Sequence, residues 1–432
     1  MKMKEKQNYF FRTRTSKNTS NHQEYGIQIP SPADSQQMHE MPAGAQEDQY
    51  QRLTHMAEKI EQIQSQNPSL PIMTTEQVVL PELWSKVFTA IKEGDEVAAL
   101  EWLGKIPVRD VLLQAILTTH SFEYLQKLVH YCIQARASDV LDLDNDVVIT
   151  PGAFEVLIKD LATTLSHGAK VHFSFGLPSH HAFKNEGSGF CILDKTAILI
   201  KYAALANPAL RFLVIGTDVN RDNGLGDDLI TTAAHLPICH VDIFDSRVYP
   251  RQDHSFIQRT LGLAGEQIKE GINSWRRGSA QYLAVDLSIT IRQNQELHPA
   301  LVFAIHQVEE HLAKAIKDKQ KIMIFLPTGW DSHEDETAYC GKYINNRMMS
   351  KLEATKQRFS DADMITFYEK IFSLYQDNKK SIAGIYWGLE GGYHRPMYEK
   401  QITLLMTQVV KLINEDTNNL DAEQHHQDFP RK

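Results

Sequence analysis

Apolar residues Leu301, Ile305, Val308, Leu312 and Ile316 recur every three or four positions through HPALVFAIHQVEEHLAKAIKDK (298–319), the period of a helix with one buried face. PELWSKVFTAIKEG (81–94) and SFEYLQKLVHYCI (121–133) carry the same pattern and predict two more helices. Between such segments lie short apolar runs: VHFSF (171–175), RFLVI (211–215), ICHVDIF (238–244), YLAVDL (282–287), IMIFL (322–326) and AGIYW (383–387). They are too short for helices and contain the β-branched and aromatic residues that strands favour. Nearly continuous apolar runs fit strands covered on both faces, as in a parallel sheet. The alternation predicts an α/β fold: one domain with a mainly parallel central sheet and helices on both faces.

The two ends have a different texture. Residues 1–75 are rich in Gln, Ser, Asn and charge and lack sustained periodicity, so they are expected to be mostly disordered, with one amphipathic helix around 48–65. Residues 413–432 read as a second polar tail, which leaves 76–412 as the folded domain. The chain of 432 residues carries a net charge of −9, yet residues 1–20 hold net +5, leaving −14 on the remainder. An acidic body argues against nucleic-acid binding and favours a basic partner such as a Lys-rich peptide. No apolar run is long enough to span a membrane or to serve as a secretory signal, so a soluble protein is expected. Four scattered cysteines suggest neither a disulfide framework nor a Cys-based zinc site, in keeping with a reducing compartment.

In open α/β sheets, chemistry gathers beyond the carboxyl ends of the strands, where loops from several strands meet. Four predicted strands are followed by such loops: LPSHHAFKNEGSG (177–189), GTDVNRDNG (216–224), PTGWDSHEDE (327–336) and GLEGGYHR (388–395). Each contains glycine and delivers polar residues suited to metal or proton chemistry. Singly, His180-His181 reads as an exposed pair, Asp218 and Asp331 as helix caps, and Tyr393 as a turn aromatic. Their convergence on one sheet edge is what makes them candidates.

HHAFKNEGSGFCILD (180–194), GWDSHED (329–335) and LEGGY (389–393) resemble, in order, segments of the zinc-dependent histone deacetylases and the bacterial acetylpolyamine amidohydrolases. Weaker similarity starts near residue 118 and runs to about 410. The resemblance implies a single arginase/deacetylase-like domain. It makes His181 the general base and acid, His180 its electrostatic companion, Asp218 and Asp331 ligands of one Zn2+, and Tyr393 the donor to the oxyanion. Phe190 and Tyr249 become walls of an acetyl-lysine tunnel, the Gly189 carbonyl accepts from the substrate amide, and Gly391 and Gly392 give the substrate room. The implied substrate is an acetylated lysine peptide, with histone tails leading; acetylpolyamines and non-catalytic acetyl-lysine binding are the alternatives. The whole also resembles eukaryote-like deacetylases that some intracellular bacteria export, which would place the chain in a host nucleus rather than its own cytoplasm. Transport signals or protein-partner sites would then lie in the tails.

The second loop departs from the family pattern. Asn220 stands where the family has a histidine ligand, which leaves three alternatives: coordination through the Asn220 oxygen, recruitment of Asp222, or a metal held loosely or other than zinc. Gly216 replaces an aspartate that orients the first histidine and helps hold a structural potassium ion, so His180 is expected to lack a carboxylate partner. Asn223 is expected to orient His181 without adding charge.

Overall fold

The computed structural model describes residues 24–38, 51–144, 146–167, 169–293, 295–337, 343–344 and 347–427. All six apolar runs are strands of one ten-stranded sheet. In chain order its strands are β1 (Tyr25–Ile29), β2 (Ile72–Thr74), β3 (Val171–Ser174), β4 (Arg211–Gly216), β5 (Ile238–Phe244), β6 (Glu266–Lys269), β7 (Ile272–Arg277), β8 (Ala280–Asp286), β9 (Ile322–Thr328) and β10 (Ile382–Leu389). The spatial order is β2-β1-β3-β10-β9-β4-β5-β8-β7-β6. Every pairing from β2 to β8 is parallel, and β7 and β6 add an antiparallel edge. The central strands β3, β5 and β9 are buried at every residue, which requires cover on both faces. The outermost strand, β6, is exposed along its length and carries Glu266 and Lys269, charges that discourage further edge pairing.

The helical segments are where periodicity puts them, at Glu82–Glu93, Phe122–Ala135 and Pro299–Lys317. Local chemistry fixes their ends: Ser121 accepts from the Tyr124 N–H as an N-cap, Pro299 opens its helix, and Gly94 closes another at φ +82°.

The N-terminal reading needs correction. Residues 24–38 and 51–75, expected to be mostly disordered, contribute two strands and two helices. Tyr25, Ile27 and Ile29 are buried, and β1 runs in register with β3 from Tyr25↔Val171 to Gln28↔Ser174. The expected amphipathic helix lies at Arg52–Gln66 and packs on the long C-terminal helix Arg395–Gln427. That helix runs through most of the expected C-terminal tail, and Asp416 accepts from the Tyr25 hydroxyl and Lys379. The basic head at 1–20 lies outside the described residues. Among those described, no helix is long and apolar enough to cross a membrane.

Candidate active site

Strands β3, β10, β9, β4 and β5 are consecutive neighbours and all parallel, so their carboxyl ends share one edge. The loops leaving them carry His180 and His181, Tyr393, Asp331, Asp218 and Asn220, and Tyr249, respectively. Topology therefore brings together residues up to 213 positions apart, from His180 to Tyr393. His180, His181, Asp218, Asn220 and Tyr393 line one pocket with Gly189, Phe190 and Tyr249. Asp146 completes the lining; it had no signature in the sequence, and its carboxylate accepts from the Gly189 N–H at 3.1 Å.

The two histidines are separated chemically by their partners. His180 Nδ1 lies 2.7 Å from Asp222 Oδ1, and His181 Nδ1 meets Asn223 Oδ1. Both oxygens can only accept, so each imidazole carries its proton on Nδ1. Their rings are 3.9 Å apart. Burial alone would lower the His180 pKa, but Asp218, Glu390 and Asp222 outweigh it and hold His180 well above the ordinary histidine value. Burial and the charge on His180 push His181 well below it. The surroundings thus favour the cation at His180 and the neutral ring at His181, with its Nε2 lone pair available.

Asp218 and Asp331 form a second centre. Asp218 accepts from the Asn220 N–H at 2.8 Å and the Gly391 N–H at 2.7 Å; Asp331 Oδ1 accepts from the Val219 N–H at 3.0 Å. Asp331 Oδ2 is buried without a hydrogen-bond partner. A Cβ placed on Gly391 would fall 2.1 Å from that oxygen and 2.7 Å from Asp218 Oδ2, so both carboxylates converge there. Burial raises the pKa of both groups, and the charge on Asp218 raises that of Asp331 further. Two buried carboxylates with an orphaned oxygen suit a cation, and a divalent metal fits this donor set. Asn220 spends its amide nitrogen on the Tyr249 carbonyl at 2.7 Å, which leaves its oxygen as the remaining side-chain donor atom.

Residues 80–409 match the sequence profile of the histone deacetylase domain. The chain belongs to the histone deacetylase family. It is 29% identical over 330 residues to an uncharacterized protein of Synechocystis sp., covering 74% of this chain and 90% of that one. It is 23% identical over 160 residues to histone deacetylase 8 of Arabidopsis thaliana, 35% of this chain and 41% of that protein. The crystal structure of the HDA15 HD domain shares the fold, with a TM-score of 0.55 at 12% identity over 90% of each chain. Family membership carries the coarse activity, hydrolytic deacetylation.

Against that family pattern, the expected absence of a carboxylate beside His180 is corrected: Asp222 supplies one. Its other oxygen lies 2.8 Å from His240 Nε2. With its two oxygens engaged by the His180 and His240 imidazoles, Asp222 faces the histidines rather than standing in for Asn220 beside Asp218. Gly391 and Gly392 also have another reason to be glycine. The space beside Gly391 belongs to the two carboxylates, and a Cβ on Gly392, at φ +109°, would meet Trp330 Cβ at 2.8 Å.

Three residues absent from the sequence-based candidates hold the site in place. Glu390 accepts from the Ser179 N–H and hydroxyl and the His180 N–H, fixing the His-His turn; burial, tempered by His180, lifts its pKa to about 7. Glu336 accepts from the Tyr393 and His394 N–H groups. Arg52, fully buried, donates to the Gly392 and Glu390 carbonyls and lies 4.6 Å over the Tyr393 ring. Glu390 had a signal, a carboxylate at the end of an apolar strand in LEGGY. Arg52 had none, because an arginine in a predicted amphipathic helix reads as part of its polar face.

The aromatic wall is under backbone tension. Phe190 has φ +67° and follows Gly189 at φ +52°. Such a conformation costs a non-glycine residue about 1–3 kcal/mol and persists where surrounding contacts over-determine it. Gly189 cannot be replaced cheaply either, since its Cβ would fall 2.3 Å from His181 Cδ2. Phe190 sits edge-on to Tyr393 at 6.1 Å, and Tyr249 edge-on to His181 at 5.1 Å.

Proposed function

We propose that the chain hydrolyses the side-chain amide of acetyl-lysine in proteins, with histone tails as the leading substrate and one zinc ion held by Asp218, Asp331 and the Asn220 oxygen. The observation that carries this reading is the unpartnered, buried Asp331 Oδ2 converging with Asp218 beside a pocket lined by two histidines whose partners shift them in opposite directions. Zinc bound there would supply Lewis acidity, polarising the amide carbonyl and acidifying water toward a pKa of about 7.

The chain's own residues do the rest. Phe190 and Tyr249 grip the apolar lysine stem, and the Gly189 carbonyl accepts from the substrate amide. His181 Nε2 takes a proton from the attacking water and returns it to the departing lysine amine, while Asn223 keeps the opposite nitrogen protonated. His180 remains a cation and stabilises negative charge as it develops. Tyr393 donates to the oxyanion, its loop held by Glu336 and Arg52.

A second reading, hydrolysis of acetylpolyamines, draws on the Asp146 carboxylate in the pocket lining, which would attract a slim cation as well as a peptide N–H. Acetate release from an acetyl-lysine histone peptide and from N-acetylputrescine, each with and without added zinc, separates the two. The proposal expects at least about tenfold higher kcat/KM on the peptide. The reverse preference assigns the site to small amines, and binding of the peptide without acetate release makes the chain a reader.

A further inference from the structure

We infer that Asp222 is the positioning residue for His180, and that positions 216 and 222 are interchangeable hosts for a single carboxylate. The argument is spatial. A Cβ built on Gly216 would fall 2.2 Å from Asp222 Oδ2 and 2.9 Å from its Cγ, so a side chain at 216 and the Asp222 carboxylate compete for one volume. Gly216 ends β4, whereas Asp222 lies six residues on, at the start of the helix Asn223–Thr231. The carboxylate therefore reaches back from the helix into space that the strand end would otherwise fill.

What it does there follows from its contacts. Asp222 is fully buried and accepts from His180 Nδ1 at 2.7 Å and from His240 Nε2 at 2.8 Å. Its own N–H donates to Asp242 Oδ2 at 3.1 Å, and that carboxylate also accepts from Tyr282, whose hydroxyl accepts from Arg221 Nε at 2.9 Å. The result is a buried tie from β5 and β8 to the histidine facing the pocket. An acceptor on Nδ1 fixes both ring orientation and tautomer, leaving Nε2 to face the pocket, where it lies 3.8 Å from Asp218 Oδ2. Gly216 and Asp222 are thus one coupled departure from the family pattern.

The inference rests on the deacetylase reading only for its kinetic arm. Variants Asp222→Gly, Gly216→Asp and the double Gly216→Asp/Asp222→Gly are compared with the wild-type chain by histidine-ring 15N correlation spectra, with His180 assigned from its loss in His180→Gln. In Asp222→Gly, the His180 Nδ1–H signal should disappear, and in the double variant it should return. On an acetyl-lysine peptide, kcat should fall on the order of 10²-fold in Asp222→Gly with KM within about threefold, and the double variant should recover most of the loss. Gly216→Asp alone should be impaired, because two carboxylates then claim one volume. If Asp222→Gly does not fold, a folded double variant supports the exchange and an unfolded one overturns it. An unchanged His180 signal in Asp222→Gly, or a folded double variant that does not restore it, overturns the inference whether or not the wild-type chain deacetylates the peptide. A wild-type chain that releases no acetate instead fails the deacetylase reading and leaves the spectral result to decide the role of Asp222.

Discussion

Under the proposed zinc set, Asn220 is the residue on which metal affinity turns. A neutral amide oxygen is a weaker zinc donor than imidazole, so the proposed set of Asp218, Asp331 and Asn220 should hold zinc less tightly than one with histidine at that position. Asn220→His is expected to slow zinc loss to a chelator by about tenfold or more, read by a colorimetric zinc indicator; faster loss would show that Asn220 is not a ligand. The sequence pointed to this residue because it breaks a ligand pattern that Asp218 and Asp331 keep. The same reasoning went astray at Gly216. A one-dimensional pattern treats a missing aspartate as a missing carboxylate, whereas Asp222 occupies that volume from six residues away. Compensation between positions close in space and separate in sequence leaves no trace in periodicity or spacing.

Among the elements, the central strands were legible because burial on both faces writes an unbroken apolar run. Strand β1, Tyr25–Ile29, was not: it spans five residues, carries Gln28 as its fourth, and lies in a polar stretch. Gln28 is tolerated because its amide is satisfied by Asp160 and its oxygen by Thr164 and His172, partners more than 130 positions distant. Deleting residues 1–70 would remove β1 and the helix that delivers Arg52 to the Tyr393 loop. The truncated chain is expected to lose cooperative thermal unfolding, followed by circular dichroism; a native-like transition with full activity would contradict the structural role given to this segment.

A second tie between elements predicts acid behaviour. Asp245, just after β5, is buried and accepts from Arg358 at 2.8 Å and from Arg247. Burial would raise its pKa, but the Arg247 hydrogen bond and the Arg358 charge prevail and hold it at about 2. A carboxyl depressed in this way stabilises the fold fully above its unfolded value of roughly 4, and that contribution fades as pH falls toward about 2. Asp245→Asn should therefore cost about 2–4 kcal/mol in urea unfolding at pH 7. The gap from wild type should narrow by pH 3; a gap that stays constant would assign the loss to packing instead.

For the molecule as a whole, fold and site share one cause: five adjacent parallel strands end on one edge, and their loops have only each other to face. The polar signatures of those loops were readable, as was the family they resemble. The supports beneath them, Glu390, Glu336 and Arg52, were not singled out, because a supporting residue is defined by what it touches. The most direct test of the account is to assay an acetyl-lysine peptide and count bound metal on the same purified sample, for the wild-type chain and for Tyr393→Phe. The account predicts one divalent metal per chain in both and acetate release by the wild type that falls about 10²–10³-fold in Tyr393→Phe. No stoichiometric metal, together with activity unchanged in Tyr393→Phe, would contradict it.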